Sequence, residues 1–155
     1  MNIAVIGTGY VGLVAGVCFA DAGHHVVCVD SNQDKIDTLL KGEVPFFEPG
    51  LDELFQLNRK RMEFTLDIAE ATNRSRIIFV AVGTPELPDG SADMDPTFRV
   101  LKEICLAAQE PKFIVLKSTV PIGTARRAHA FCLEHTKHAM TIINNPEFLK
   151  QGAAL

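Results

Sequence analysis

Residues 2–30 read NIAVIGTGYVGLVAGVCFADAGHHVVCVD, and this stretch decides the fold. An apolar run at 2–6 gives way at once to Gly7-Thr8-Gly9-Tyr10-Val11-Gly12. Small apolar residues then fill 11–22 and end at Gly23, a helix stop. A second strand-like run, HVVCVD at 25–30, closes the unit. Strand, glycine turn, helix and strand within about 30 residues is the setting in which G-x-G-x-x-G carries a mechanism. Gly7 permits the tight turn, Gly9 lets main chain approach a pyrophosphate, and Gly12 lets the helix pack close to the strand. The helix start, with Tyr10 and Val11 in its first turn, offers free N–H groups and a positive dipole end to phosphate. The competing reading is a glycine-rich turn with no ligand.

Asp30 ends the second run, 18 residues past Gly12. A carboxylate there accepts hydrogen bonds from the adenosine ribose hydroxyls and repels a 2′-phosphate, which predicts NAD rather than NADP. Asp30 can also cap the helix that starts near Ser31 or Asn32. Lys35, one turn further on, either reaches the same ribose or a phosphate, or stands in solvent.

Working outward, strand-like and helical patterns alternate to residue 144. Helices are expected over 32–41, over 49–60 with Pro49 opening the first turn, over 67–73, 97–109 and 123–135. Strands are expected over 63–66, 76–82, 112–117 and 140–144, with a long Pro/Gly/Asp loop from Pro85 to Pro96. Runs such as RIIFVAV and KFIVLK are apolar throughout, so both faces of the sheet are covered and the strands are mostly parallel. The expected fold is α/β: a doubly wound, Rossmann-type sheet of about six strands in the order 3-2-1-4-5-6, in three α/β/α layers.

The 155 residues suit one domain. Hydrophobic residues at 47% and charged ones at 22% exclude a disordered chain, and no apolar run reaches the ~20 residues of a membrane span. A net charge of −4 gives no basic footprint for nucleic acid. The 2–6 run has no basic head before it and no cleavage site after it, so no secretory signal is expected. The four cysteines are scattered without a C-x-x-C pair, which points to reduced thiols in the cytoplasm. The five histidines form no metal-spaced cluster, and no metal is expected. His24 and His25 fall in a turn remote from the phosphate edge. Arg59-Lys60-Arg61 reads as a solvated helix end. Asp89, Asp93 and Asp95 do not match a calcium loop.

Polar residues collect after the fourth, fifth and sixth strands: Val82-Gly83-Thr84-Pro85, Lys117-Ser118-Thr119-Val120-Pro121-Ile122-Gly123-Thr124, and Asn145-Pro146-Glu147-Phe148-Leu149-Lys150-Gln151-Gly152. Carboxyl ends of strands are where doubly wound sheets bind ligands. Glu147 can take a proton from a water or cap the segment after Pro146. Thr119 can orient a water or satisfy nearby backbone.

With the glycine turn and Phe46-Phe47-Glu48-Pro49-Gly50-Leu51, these segments resemble the nucleotide-sugar dehydrogenases over the whole chain, in order and with compatible spacing. The likeness is nearest to the UDP-glucose 6-dehydrogenase branch. The GDP-mannose branch more often reads R-S-T-V-L-P-G-T where this chain has Lys117–Thr124. The resemblance implies oxidation of UDP-glucose at C6 to UDP-glucuronate with two NAD⁺, through a thioester on a cysteine. It implies NAD contacts at Val82, Gly83, Thr84, Ser118 and Thr119, with Thr119 also helping to hold a water. Glu147 then stands near the reacting carbon. Phe148, Leu149, Lys150 and Gln151 line the contact between sugar nucleotide and nicotinamide. Gln151 stands where the family often has glutamate, and an amide cannot act as a base. None of Cys18, Cys28, Cys105 and Cys132 matches the family's nucleophile. The chain (1–155) is thus expected to be a cofactor domain from a larger enzyme, which dimerises through a region absent here and leaves the isolated piece monomeric and inactive. Rivals are another sugar-nucleotide dehydrogenase, acting on GDP-mannose or UDP-N-acetylmannosamine, the 3-hydroxyacyl-CoA or 6-phosphogluconate dehydrogenase type, or an NAD-sensing module with no need of Thr119 and Glu147.

Overall fold

The opening run becomes β1 (Asn2–Ile6) at the centre of a sheet, and its residues alternate between two layers. Ile3 and Val5 enter one apolar cluster, Ala4 and Ile6 the other. The computed structural model describes residues 1–155. After β1 come α1 (Tyr10–Asp21), β2 (His25–Val29), α2 (Gln33–Leu40), α3 (Leu51–Asn58), β3 (Met62–Thr65) and α4 (Ile68–Arg74). Then follow β4 (Ile77–Val80), α5 (Asp95–Ala107), β5 (Lys112–Leu116), α6 (Thr124–His135) and β6 (Met140–Asn144).

The sheet has six strands in the order β3-β2-β1-β4-β5-β6, and every neighbouring pair is parallel. This is the doubly wound order the sequence predicts. One face is closed by Leu13, Val14 and Val17 of α1, Ile36 and Leu39 of α2, and Leu51 and Phe55 of α3. The other is closed by Ala71 of α4, Val100, Leu101 and Ile104 of α5, and Ala128 and Cys132 of α6. Burying both faces is what makes the strands apolar throughout rather than alternating.

Several expectations are corrected. Pro49 does not open a helix: Gly50 has φ +80°, so α3 begins only at Leu51 and ends in a 3-10 turn over Arg59–Arg61. That turn is not simply solvated. The Arg59 guanidinium lies 5.1 Å from the Phe64 ring centre and donates to the Met62 and Leu40 carbonyls. α5 begins two residues sooner than expected, because Pro96 fits a first helical turn, where its missing N–H would have no partner. His25 starts β2 rather than lying in the turn before it. The Pro85–Pro96 stretch folds back on itself through a Glu86–Ala92 bridge and a Leu87 N–H to Ser91 carbonyl bond of 2.7 Å. No helix is long and apolar enough to cross a membrane.

Candidate functional site

The strand order reverses between β1 and β4, where crossovers leave in opposite directions and a crevice opens at the carboxyl edge. The glycine turn forms its floor. Gly7 has φ +102°, and a Cβ there would lie 2.5 Å from the Ala81 carbonyl oxygen. At Gly12 a Cβ would stand 1.9 Å from the Gly7 oxygen, so any side chain would drive α1 off the turn. Gly9 is different: its Cβ would meet nothing within 4 Å, because this residue faces open space. Gly9 is also the N-cap of α1 and provides no side-chain cap. The N–H groups of Tyr10, Val11 and Gly12 have no acceptor within the chain. By contrast, α2 and α4 are capped by Asn32 and Asp67. An uncapped helix start above a glycine turn is a cradle for an anion.

Asp30 stands beside it. Its Oδ2 accepts from the Thr8 N–H at 2.8 Å and the Thr8 hydroxyl at 2.7 Å, and its Oδ1 accepts from the Asn32 N–H at 3.0 Å. The Lys35 ammonium lies 3.6 Å from Oδ2. Burial opposes the charge, but the Thr8 hydroxyl and N–H, the Asn32 N–H and Lys35 together hold the carboxyl below its ordinary range. The carboxylate therefore braces the glycine turn through Thr8, and Asn32 rather than Asp30 caps α2. Asp30, Lys35, Gly7 and Gly9 line a cleft of about 640 Å³, closed on the far side by Leu66 and Ile68 and by Arg99 on α5.

A second cavity of about 290 Å³ continues along the sheet edge. Here the folding brings together Gly9, Tyr10 and Val11 from the turn, Val82, Gly83 and Thr84 after β4, Lys117, Ser118 and Thr119 after β5, and Glu147 after β6. The segments after β4 and β5 brace each other: the Ser118 hydroxyl donates to the Val82 carbonyl at 2.5 Å, and the Thr84 hydroxyl to the Thr119 carbonyl at 3.2 Å. The Thr119 hydroxyl has no partner in the chain and is free to meet a ligand or water. The Glu147 carboxylate accepts from the Leu149 N–H, so it caps its own segment while bordering the cavity. Phe148, Lys150 and Gln151 do not converge there; their side chains are exposed, and Leu149 packs against the core.

Two residues escaped the sequence reading. Arg99 is reached only because α5 turns it toward the cleft. Glu48 lies within the Phe46–Leu51 motif, but nothing in that motif shows what it holds. It is 2% exposed and accepts from the Tyr10 hydroxyl at 2.7 Å, the Gly152 N–H at 2.8 Å and the Ala154 N–H at 2.9 Å.

A parallel sheet wound on both sides, with an uncapped helix start over a glycine turn and an acid at the next strand's end, defines a dinucleotide-binding domain. The chain belongs to the UDP-glucose/GDP-mannose dehydrogenase family and is its NAD-binding domain: the family model matches residues 1–155. It is 47% identical over 159 residues to a UDP-glucose 6-dehydrogenase of Rhizobium meliloti, covering 100% of this chain and 36% of that protein. A UDP-glucose dehydrogenase structure from Pyrobaculum islandicum matches with a TM-score of 0.94 at 35% identity, over 99% of this chain and 37% of that one. A GDP-mannose dehydrogenase from Pseudomonas aeruginosa, solved as a ternary complex, also matches with a TM-score of 0.94, at 34% identity over 99% and 38%. The chain thus spans little more than a third of the length of these relatives.

Proposed function

We propose that this chain is the cofactor domain of a dehydrogenase that oxidises the C6 alcohol of UDP-glucose to the carboxylate of UDP-glucuronate. The observation that carries the reading is the convergence of Thr119 and Glu147 with the glycine turn on one cavity. A sensing module needs the turn and Asp30 but gains nothing from a carboxylate and a free hydroxyl further along the same edge.

NAD, when bound, supplies a hydride acceptor, and two are consumed per substrate. The residues fit it: the unpaired N–H groups of Tyr10, Val11 and Gly12 face a cleft that no side chain at Gly9 obstructs. They would receive the diphosphate, while Asp30, assisted by Lys35, would accept from the ribose hydroxyls. Val82, Gly83, Thr84 and Ser118 form the walls towards the nicotinamide. Thr119 holds a water through its hydroxyl. Glu147 takes a proton from the water that releases the acid from a thioester, whose cysteine lies outside this chain. Phe148, Leu149 and Lys150 belong to the sugar-nucleotide contact and meet it once the rest of the enzyme is present. The parent is a cytoplasmic homodimer, and the isolated chain binds NAD without turnover. Glu147→Gln in the parent therefore slows product formation while leaving acylation intact.

The test is direct. The full-length protein is supplied with NAD⁺ and, in turn, UDP-glucose, UDP-N-acetylmannosamine and GDP-mannose. UDP-glucuronate formed with two NADH per sugar is the expected result. Turnover of another sugar alone replaces the substrate. NAD binding without reduction by any of them makes the chain a sensor.

A further inference from the structure

Residues 146–155 have no regular secondary structure, yet they carry Glu147. The only hydrogen bonds that tie this segment to the rest of the chain are the two from Gly152 and Ala154 N–H groups to Glu48. The other bonds within it are local, from Leu149 to Glu147 and from Ala153 to Lys150. The carboxylate's third bond, from Tyr10, reaches the first residue of α1. The Tyr10 ring packs on Phe46, with centroids 5.3 Å apart, which fixes the hydroxyl. One buried side chain thus connects the nucleotide turn to the strand-end segment.

We propose that Glu48 is a positioning residue: its carboxylate fastens the Glu147-bearing segment to the start of α1 and so sets Glu147 against the nicotinamide cavity. The proposal rests on the reading of Glu147 given above. The chemistry requires an ionised carboxylate. Three donors converge on its two oxygens, and charge-assisted bonds of this kind are about twice as strong as neutral ones. A glutamine has one acceptor oxygen, and its NH₂ would face an N–H or O–H donor. The Ala154 N–H is the main influence holding the Glu48 carboxyl below its usual range; burial opposes it, and Tyr10 and Gly152 reinforce it. The same buried pairing pushes the Tyr10 phenol up to about 12, burial acting first and Glu48 second.

Three readouts test this. Trypsin cleavage after Lys150 in the 155-residue chain reports release of the segment. Glu48→Gln should speed it at least about tenfold, and Ala154→Pro, which removes one donor on the tail at a residue only partly packed against the core, should speed it severalfold. Tyr10 is the only tyrosine and tryptophan is absent, so tyrosine emission reports its bond to Glu48 directly. Emission should brighten in Glu48→Gln and stay unchanged in Ala154→Pro. In the full-length enzyme, Glu48→Gln should lower kcat about tenfold with NAD affinity within twofold, and add nothing in a Glu147→Gln background. Unchanged cleavage in both variants overturns the latch, as does a kcat loss fully additive with Glu147→Gln. Full turnover in Glu147→Gln alone sinks the assignment of Glu147 instead, and the rate of cleavage after Lys150 still decides the latch.

Discussion

At the glycine turn, position is dictated by crowding: Gly7 presses on Ala81, Gly12 presses on Gly7, and the Gly7 N–H bonds the Val29 carbonyl at 2.7 Å. At the other end of the cleft, residues 146–155 rest on Glu48 and on the packing of Leu149 and Ala154. The first region is part of the core and cannot move without it. The second is placed by a side chain and can shift while the sheet stays intact. A cofactor needs a rigid cradle, whereas a group that works on successive intermediates gains from a support that can be adjusted.

The comparison breaks most easily at Gly12. Gly12→Ala should cost about 3 kcal/mol or more, since the clash is with backbone; a urea midpoint close to that of the parent would show that the turn yields. Glu147→Gln in the full-length enzyme should slow thioester hydrolysis about a hundredfold, the lower range for a lost general base. Rapid-quench detection of the accumulated acyl-enzyme checks it. Asp30→Ala should weaken NAD binding by ~1–3 kcal/mol in calorimetry; unchanged affinity would remove Asp30 from the ribose contact.

A smaller effect is acid sensitivity. The Asp30 carboxyl is depressed in the folded chain, so its contribution is fully present above the unfolded value of about 3.9 and is lost as pH falls through the folded one. Stability measured by urea between pH 6 and pH 2 (roughly the carboxylate window) should therefore fall less steeply in Asp30→Asn than in the parent. Least of all, Gly9→Ala should alter stability by only about ±0.5 kcal/mol, because its side chain enters open space. The same change should still reduce NAD affinity at least about tenfold, and tight NAD binding by Gly9→Ala would show that the backbone does not approach the diphosphate there.

The rigid region was legible in the sequence and the adjustable one was not, for a physical reason. Gly7, Gly9, Gly12 and Asp30 lie within one strand–helix–strand unit, where spacing translates directly into geometry. Continuous apolar runs likewise revealed all six strands, because burial on both faces leaves a strong mark, and their order followed from the dinucleotide-binding arrangement. Glu48 acts on residues 38, 104 and 106 positions away, and no local pattern links them. The start of α3 was misread because a permitted Pro49 concealed the left-handed Gly50. Arg59 was misread because a charged triplet looks solvated until the rings of Phe55 and Phe64 are brought beneath it. Phe148 is 90% exposed, so the contact expected of it is not met within this chain.

The reversal of strand order between β1 and β4 has a mechanical consequence. A dinucleotide seated in this crevice would bridge the seam between two half-sheets, with Gly7 and Asp30 lining one side and Val82 and Gly83 the other. It would therefore work as a stitch as well as a reagent: a chain loaded with NAD should melt later than an empty one, by an amount that grows with the logarithm of NAD concentration.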